Sequence, residues 1–274
     1  MEDRIRKAAI AGTWYPGDPA TLTRDIRTFL NDAVIPRLAG RPVAVISPHA
    51  GYIYSGPVAG YAYKAVQGQS YKRVVVISPS HRANFPFLSL WAEGGYATPL
   101  GVVEIDEEFC ARLTNDSASI RDSRPMHLAE HALEIQLPFL QVSLGTFKLC
   151  PIIMGQQQMG LCRELGNVLA RAIGDPRETL VVASSDLSHF HHSSRAAVMD
   201  STIAKRIEEF DIEGLNQALE TGAGEACGGG PIISAMVYAQ AVGHPTAQVL
   251  KYANSGDVTG ERSSVVGYLA AVIS

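Results

Sequence analysis

Three continuously apolar stretches of the chain end alike. Val43-Ala-Val-Ile46 runs into Ser47-Pro48-His49, and Val74-Val-Val-Ile77 into Ser78-Pro79-Ser80-His81. Leu180-Val-Val-Ala183 runs into Ser184-Ser-Asp186-Leu-Ser-His189. Short β-branched runs bounded by turn residues predict strands buried on both faces. Proline cannot continue a central ladder, so the first two strands should stop at their Ser-Pro step. If the strands are parallel, the three tips lie on one edge of the sheet. That is the carboxyl edge, where open α/β sheets bind ligands. Each tip delivers a histidine there.

The remaining pattern predicts helices over about 19–29, 57–66, 106–113, 130–140, 160–173, 195–209, 212–219 and 232–242. Further strands are expected over 87–92, 102–105, 149–154, 247–254 and 265–273. Asp18 and Asp106 have N-cap chemistry, and Pro138 should end or kink the 130–140 helix. Strands and helices alternate, and most strands are apolar throughout. This predicts an α/β fold with a largely parallel or mixed central sheet covered by helices on both faces. No linker or shift of composition divides residues 1–274, so one domain is expected.

Composition narrows the class. The chain has 274 residues, 46% of them hydrophobic and 18% charged, with a net charge of −4. That is a globular balance. No basic stripe is present, which argues against a nucleic-acid partner. No apolar run reaches the roughly 18–20 residues of a membrane span. The start, with Glu2, Asp3, Arg4, Arg6 and Lys7, has no apolar signal core. A cytoplasmic protein without a membrane partner is the expectation. Cys110, Cys150, Cys162 and Cys227 show no CxxC pairing and should be reduced, the first three as packing residues.

His49, His81 and Cys227 form the first candidate constellation, since imidazole and thiolate are good ligands for Fe, Zn or Cu. Cys227 precedes Gly228-Gly-Gly-Pro231 at the start of an expected helix, a place that favours the thiolate. The competing reading is two strand-end histidines satisfied by backbone and a cysteine in a tight turn. Asp186 and His189 form the second constellation. His189 could act as general acid or base, and Asp186 could orient it or bind metal. Here the competing reading is a helix-capping turn, with His191 and His192 as a solvated pair. His127-Leu-Ala-Glu130-His131 has the form H-x-x-E-H, but Pro125 and Pro138 bracket a short segment. Supporting roles for Glu130 or His131 behind the metal suit it better. Trp14 and Tyr15 either pin the N-terminal loop or line a pocket. Phosphate-loop, dinucleotide and G-x-S-x-G signatures are absent.

Taken together, several spaced motifs resemble the Memo protein family. They are Ala11-Gly-Thr-Trp-Tyr15, Pro48-His-Ala-Gly-Tyr52 with Tyr54-Ser-Gly56, Ser78-Pro-Ser-His81, Glu130-His131 with Leu137-Pro138, Ser184-Ser-Asp-Leu-Ser-His189 and Cys227-Gly-Gly. The resemblance runs from about residue 8 to the C-terminus. It implies a fold like the class III extradiol dioxygenases, in which two histidines and a glutamate hold non-haem Fe(II) and a further histidine serves as acid/base. By that pattern His49 and His81 match the ligand histidines, and His189 the acid/base with Asp186 beside it. Cys227 stands where the dioxygenases have a carboxylate. A thiolate there is softer and oxidisable, and shifts preference toward Cu or Zn. The resemblance further implies radical-SAM or AMMECR-type partner proteins for microbial members. Three functions follow as expectations. The first is a metal-binding oxidoreductase-like protein, with Fe(II) foremost and Cu or Zn as alternatives. The second is a module binding a peptide or small molecule in a cleft ringed by Trp14, Tyr15, Tyr52 and Tyr54. The third is a zinc hydrolase with His189 as base.

Overall fold

The computed structural model describes residues 4–274, so Glu2 and Asp3 of the charged start lie outside the described residues. After β1 (Ile5–Arg6), α1 (Pro19–Asp32) begins as its sequence requires: Asp18 accepts from the Thr21 backbone N–H and proline opens the first turn. There follow β2 (Ala44–Ser47), α2 (Tyr52–Val66), β3 (Arg73–Pro79), β4 (Leu88–Leu90), β5 (Gly95–Thr98), β6 (Gly101–Glu104) and α3 (Glu107–Asp116). Next come β7 (Ile120–Asp122), α4 (Gln136–Leu144), β8 (Lys148–Met154), α5 (Met159–Ala172), β9 (Thr179–Ser184) and β10 (His189–His191). The chain closes with α6 (Ser193–Glu208), α7 (Ile212–Thr221), α8 (Gly229–Ala241), β11 (Ala247–Asn254), α9 (Gly256–Thr259) and β12 (Val265–Ile273). Among the described residues no helix is long and apolar enough to cross a membrane.

The strands form one mixed sheet in the order β10-β12-β2-β9-β3-β8-β4-β7, with β11 also on β12, and β1, β5 and β6 make a small separate sheet. Its centre, β2-β9-β3-β8, is parallel, and every residue of β2 and β9 is buried. On one side α1, α2 and α4 pack together, with α2 on β2, β11 and β12. On the other, α5 packs on α8, and α8 on β2, β3 and β9. The fold is therefore the expected single mixed α/β domain. Pro79 extends β3 beside β8, but the pairing of β3 with β9 has already stopped at Ile77, so the missing N–H interrupts no ladder there.

Two helices start elsewhere than the pattern suggests. α2 begins at Tyr52, which leaves Pro57 inside the helix. Its glycines explain the position: a Cβ on Gly60 would lie 2.6 Å from the Phe29 carbonyl oxygen, so the helix seats directly against α1. α4 begins at Gln136, because Glu130 turns its carboxylate onto the backbone N–H groups of His131 and Ala132 and holds 130–132 out of the helix. Pro138 then falls in the first turn of α4, where its lacking N–H is harmless. The short strands β7 and β10 carry too little pattern to have been anticipated.

Candidate metal centre

Parallel register brings the strand tips together. Ser47 of β2 pairs with Ser184 of β9, and Ile77 of β3 with Ala183. His49 and His81 leave these strands with ring centroids 5.1 Å apart. His131, from the irregular chain before α4, lies 5.7 Å from His49 and 4.6 Å from His81 by ring centroids. One ligand nitrogen from each of the three lies within 4.8 Å of the others, a group able to hold a metal ion.

Two of the rings, His81 and His49, are held from behind by hydrogen bonds. Glu130 Oε2 accepts the His81 backbone N–H at 2.6 Å, and Oε1 lies 3.0 Å from His81 Nδ1. Burial works to raise the Glu130 carboxyl, but its hydrogen bonds from the His81 side chain and backbone and from Ala132 outweigh that and hold it at about 2. An ionised carboxylate only accepts, so His81 carries its hydrogen on Nδ1 and presents Nε2. His49 donates its backbone N–H to Asp186 Oδ1 at 2.7 Å, and its Nδ1 lies 2.9 Å from Ser184 Oγ. Its Nε2 is 3.0 Å from Cys227 Sγ. Burial, and then repulsion from His81, takes His49 well below the ordinary histidine range. Burial and His49 likewise lower His131 to about 3. Both rings are therefore neutral near pH 7. The buried Nδ1 of His131 makes no hydrogen bond, but it lies 3.4 Å from Glu130 Oε1.

Cys227 departs from expectation in its protonation. Burial first, and then the charge of Asp186, pushes its thiol upward. The benefit of a helix N-terminus is weak because Gly228, not Cys227, is the N-cap of α8. The close seating requires that glycine: a Cβ on Gly228 would lie 2.2 Å from the Ser184 carbonyl oxygen. Burial also raises Asp186 to about 6.

Two cavities meet at His189. One, of about 690 Å³, is lined by His49, His81, His131 and Asp186, with Trp14 and Tyr54 among its walls. The other, of about 800 Å³, is more polar and is lined by Cys227, Glu225 and the three glutamines Gln156, Gln157 and Gln158. His189 Nδ1 lies 2.8 Å from the Leu187 carbonyl oxygen. A carbonyl only accepts, so Nδ1 bears a hydrogen and Nε2 is the nitrogen left to meet a ligand.

Residues 6–272 match the family described as Memo-like protein. The chain belongs to that family. It is 36% identical over 272 residues to a MEMO1 family protein of Methanothermobacter thermautotrophicus, the match covering 96% of this chain and 98% of the relative. It is 35% identical over 272 residues to a MEMO1 family protein of Nitrosopumilus maritimus, with the same shares covered. Among solved structures it resembles the crystal structure of uncharacterized protein JW3007 from Escherichia coli K12. That likeness has a TM-score of 0.51 at 12% identity, covers 84% of this chain and 98% of the other, and shows the fold alone.

Within this Memo-like fold the candidate residues separate clearly. Trp14 lies against His131 with ring centroids 4.3 Å apart. Tyr15 and Tyr52, expected at the cleft, are core residues and do not line it. Tyr15 donates to Glu134 Oε1 at 2.6 Å, and Tyr52 to the Ile135 carbonyl at 2.8 Å. Their phenols serve to satisfy buried acceptors. His127 is fully buried away from the cluster, bonded through Nδ1 to the Tyr96 hydroxyl and through Nε2 to Ser89. The H-x-x-E-H pair therefore does not act as one ligand set. His191 is bound to Glu225 at 3.0 Å and is not a free surface residue. Cys110, Cys150 and Cys162 are buried thiols.

Sequence reasoning missed the support of the 127–134 segment. Arg6 donates to the carbonyls of His127 and Glu130, both at 2.7 Å, and pairs with Glu134 in full burial. Glu134 also accepts the backbone N–H groups of Ala9 and Ile10. The only available signal was a charged residue, Glu134, inside an apolar stretch.

Proposed function

We propose that this Memo-like protein binds a redox-capable transition metal, iron(II) foremost and copper next. His49 and His81 form the fixed pair, and Cys227 and His131 are the further donors. The observation carrying this reading is the convergence of three histidines whose ligand nitrogens lie within 4.8 Å of one another. The donor set fits: His81 and His131 both have the Glu130 carboxylate beside Nδ1, and Cys227 touches His49. His49, His81 and His131 would hold the ion, with Cys227, outside that group but in contact with His49, as a further soft and oxidisable donor, which favours redox chemistry over hydrolysis.

When bound, such an ion supplies one-electron chemistry and a charge that polarises an oxygen-bearing ligand. The chain's own contributions are separate. Trp14 and Tyr54 wall the cleft and shield a ligand from water. Asp186 fixes His49 through its backbone N–H. His189, shared by both cavities, takes or returns a proton at Nε2.

Elemental analysis of protein purified without oxygen tests the proposal, with wild type beside His81→Ala, His131→Ala and Cys227→Ala. Near-stoichiometric Fe or Cu in wild type, lost in His81→Ala, is the expected result. Zinc in its place would move the reading to a hydrolase. No metal after reconstitution would leave a ligand-binding cleft, consistent with the half-exposed Trp14 and Tyr54.

A further inference from the structure

Ser184 ends β9, is fully buried, and meets three polar partners with one hydroxyl. Its oxygen lies 2.6 Å from the Ala132 carbonyl, 2.7 Å from Gln136 Nε2 and 2.9 Å from His49 Nδ1. A serine hydroxyl has one hydrogen to give and two lone pairs to accept with. Two carbonyls, which can only accept, decide how these are used. The Pro48 carbonyl lies 3.0 Å from Gln136 Nε2 and takes one amide hydrogen. The opposite end of that amide, Oε1, accepts from the Tyr63 hydroxyl at 2.6 Å. The amide orientation is thus fixed, and its second hydrogen goes to Ser184. The Ala132 carbonyl takes the serine's own hydrogen. The contact to His49 then closes only if His49 Nδ1 carries a hydrogen and donates it.

We infer that Ser184 is a positioning residue that locks His49 in the Nδ1–H tautomer, with Tyr63 and Gln136 holding Ser184 in place. The bare Nε2 therefore faces Cys227 and the cluster. A free neutral imidazole prefers the opposite tautomer, so this preference has to be imposed by the hydrogen bond on the far nitrogen. His81 is set the same way by a different device, the charged Glu130. The two fixed histidines are thus prepared independently, one by a carboxylate and one by a neutral relay buried between β9, α2 and α4. Only the consequence for metal affinity rests on the metal-centre reading; the tautomer belongs to the metal-free chain.

Long-range ¹H–¹⁵N spectra of the imidazoles in metal-free protein provide the test. In wild type, His49 should show a protonated Nδ1 and an unprotonated Nε2. Ser184→Ala should shift His49 toward the Nε2–H form while the His81 tautomer stays unchanged, and Ser184→Thr, which keeps the hydroxyl, should restore the wild-type pattern. Metal affinity should fall about 10–100-fold in Ser184→Ala. A wild-type His49 protonated at Nε2 overturns the inference even if no variant folds, and so does an unchanged His49 tautomer in a folded Ser184→Ala protein. If the tautomers are as stated but the wild type takes no metal, the positioning role stands and the metal-centre reading fails.

Discussion

The strand tips and the segment 127–136 both bring histidines toward the same edge of the sheet, but they do so by different means. His49, His81 and His189 follow buried parallel strands, and the register of β2, β9 and β3 brings them to one edge. His127 and His131 lie on irregular chain that owes its course to buried polar groups: Arg6 on its carbonyls, Glu134 on the N-terminal stretch, Glu130 on the His131 backbone N–H. A strand tip is placed by apolar burial spread over many residues. The 127–136 segment is placed by a few charges, and the loss of one leaves the others buried and unpaired. Histidines four residues apart consequently have unlike fates. His127 uses both nitrogens inside the core, and His131 lies in the cluster with its Nδ1 3.4 Å from Glu130 Oε1.

The contrast breaks first at Glu134. Glu134→Ala would leave Arg6 buried without its counter-ion, and should cost about 3–5 kcal/mol in denaturant unfolding. A loss no larger than that of a surface substitution would mean that the segment does not depend on this pair. His127→Ala should cost about 1–3 kcal/mol, since Ser89 and Tyr96 lose a buried partner, with metal content unchanged. His131→Ala should show the reverse, a lowered metal content with a smaller loss of stability. If both substitutions lower metal content equally, His127 acts through the centre and not through the core alone.

Glu130→Gln should keep the fold and lower metal affinity about 10–100-fold, because His81 loses the carboxylate behind Nδ1. The same variant has a pH signature. The folded Glu130 carboxyl, at about 2, lies below its ordinary value of about 4.3. Its ionised form therefore contributes stability in full above the ordinary value and loses it as pH falls toward 2. The stability gap between wild type and Glu130→Gln should narrow over that window in acid titrations followed by circular dichroism. The smallest effect is expected at Phe190, an exposed residue held at φ 63° beside His189. Phe190→Gly should stabilise by up to about 1 kcal/mol, because glycine adopts this left-handed backbone without strain. Destabilisation would show that the phenyl ring packs more than its exposure suggests.

The same division governs what could be read in the sequence. The three strand-tip phrases were legible because apolar runs and prolines mark strand ends directly, and with them the sheet edge that gathers His49, His81, Asp186 and His189. The family pattern also marked Glu130 and Cys227. The place of His131 inside the cluster was not legible, since it follows from where Glu130 turns its carboxylate, a tertiary choice without periodicity. Tyr15 and Tyr52 look like rim aromatics in sequence, but their hydroxyls satisfy Glu134 and the Ile135 carbonyl far along the chain. Ser184 opens a motif but nothing in it points to His49, and Gln136 carries no signal of its own. One is a small strand-end residue and the other begins a helix, and only the register of β9 against the turn before α4 brings them to His49.

The most direct test of the metal centre is anomalous diffraction from crystals of the protein reconstituted with Fe(II) under anaerobic conditions. The expected result is a single anomalous peak within bonding distance, about 2.0–2.3 Å, of Nε2 of both His49 and His81. No peak at these residues, or one that remains there in His81→Ala, would contradict the assignment.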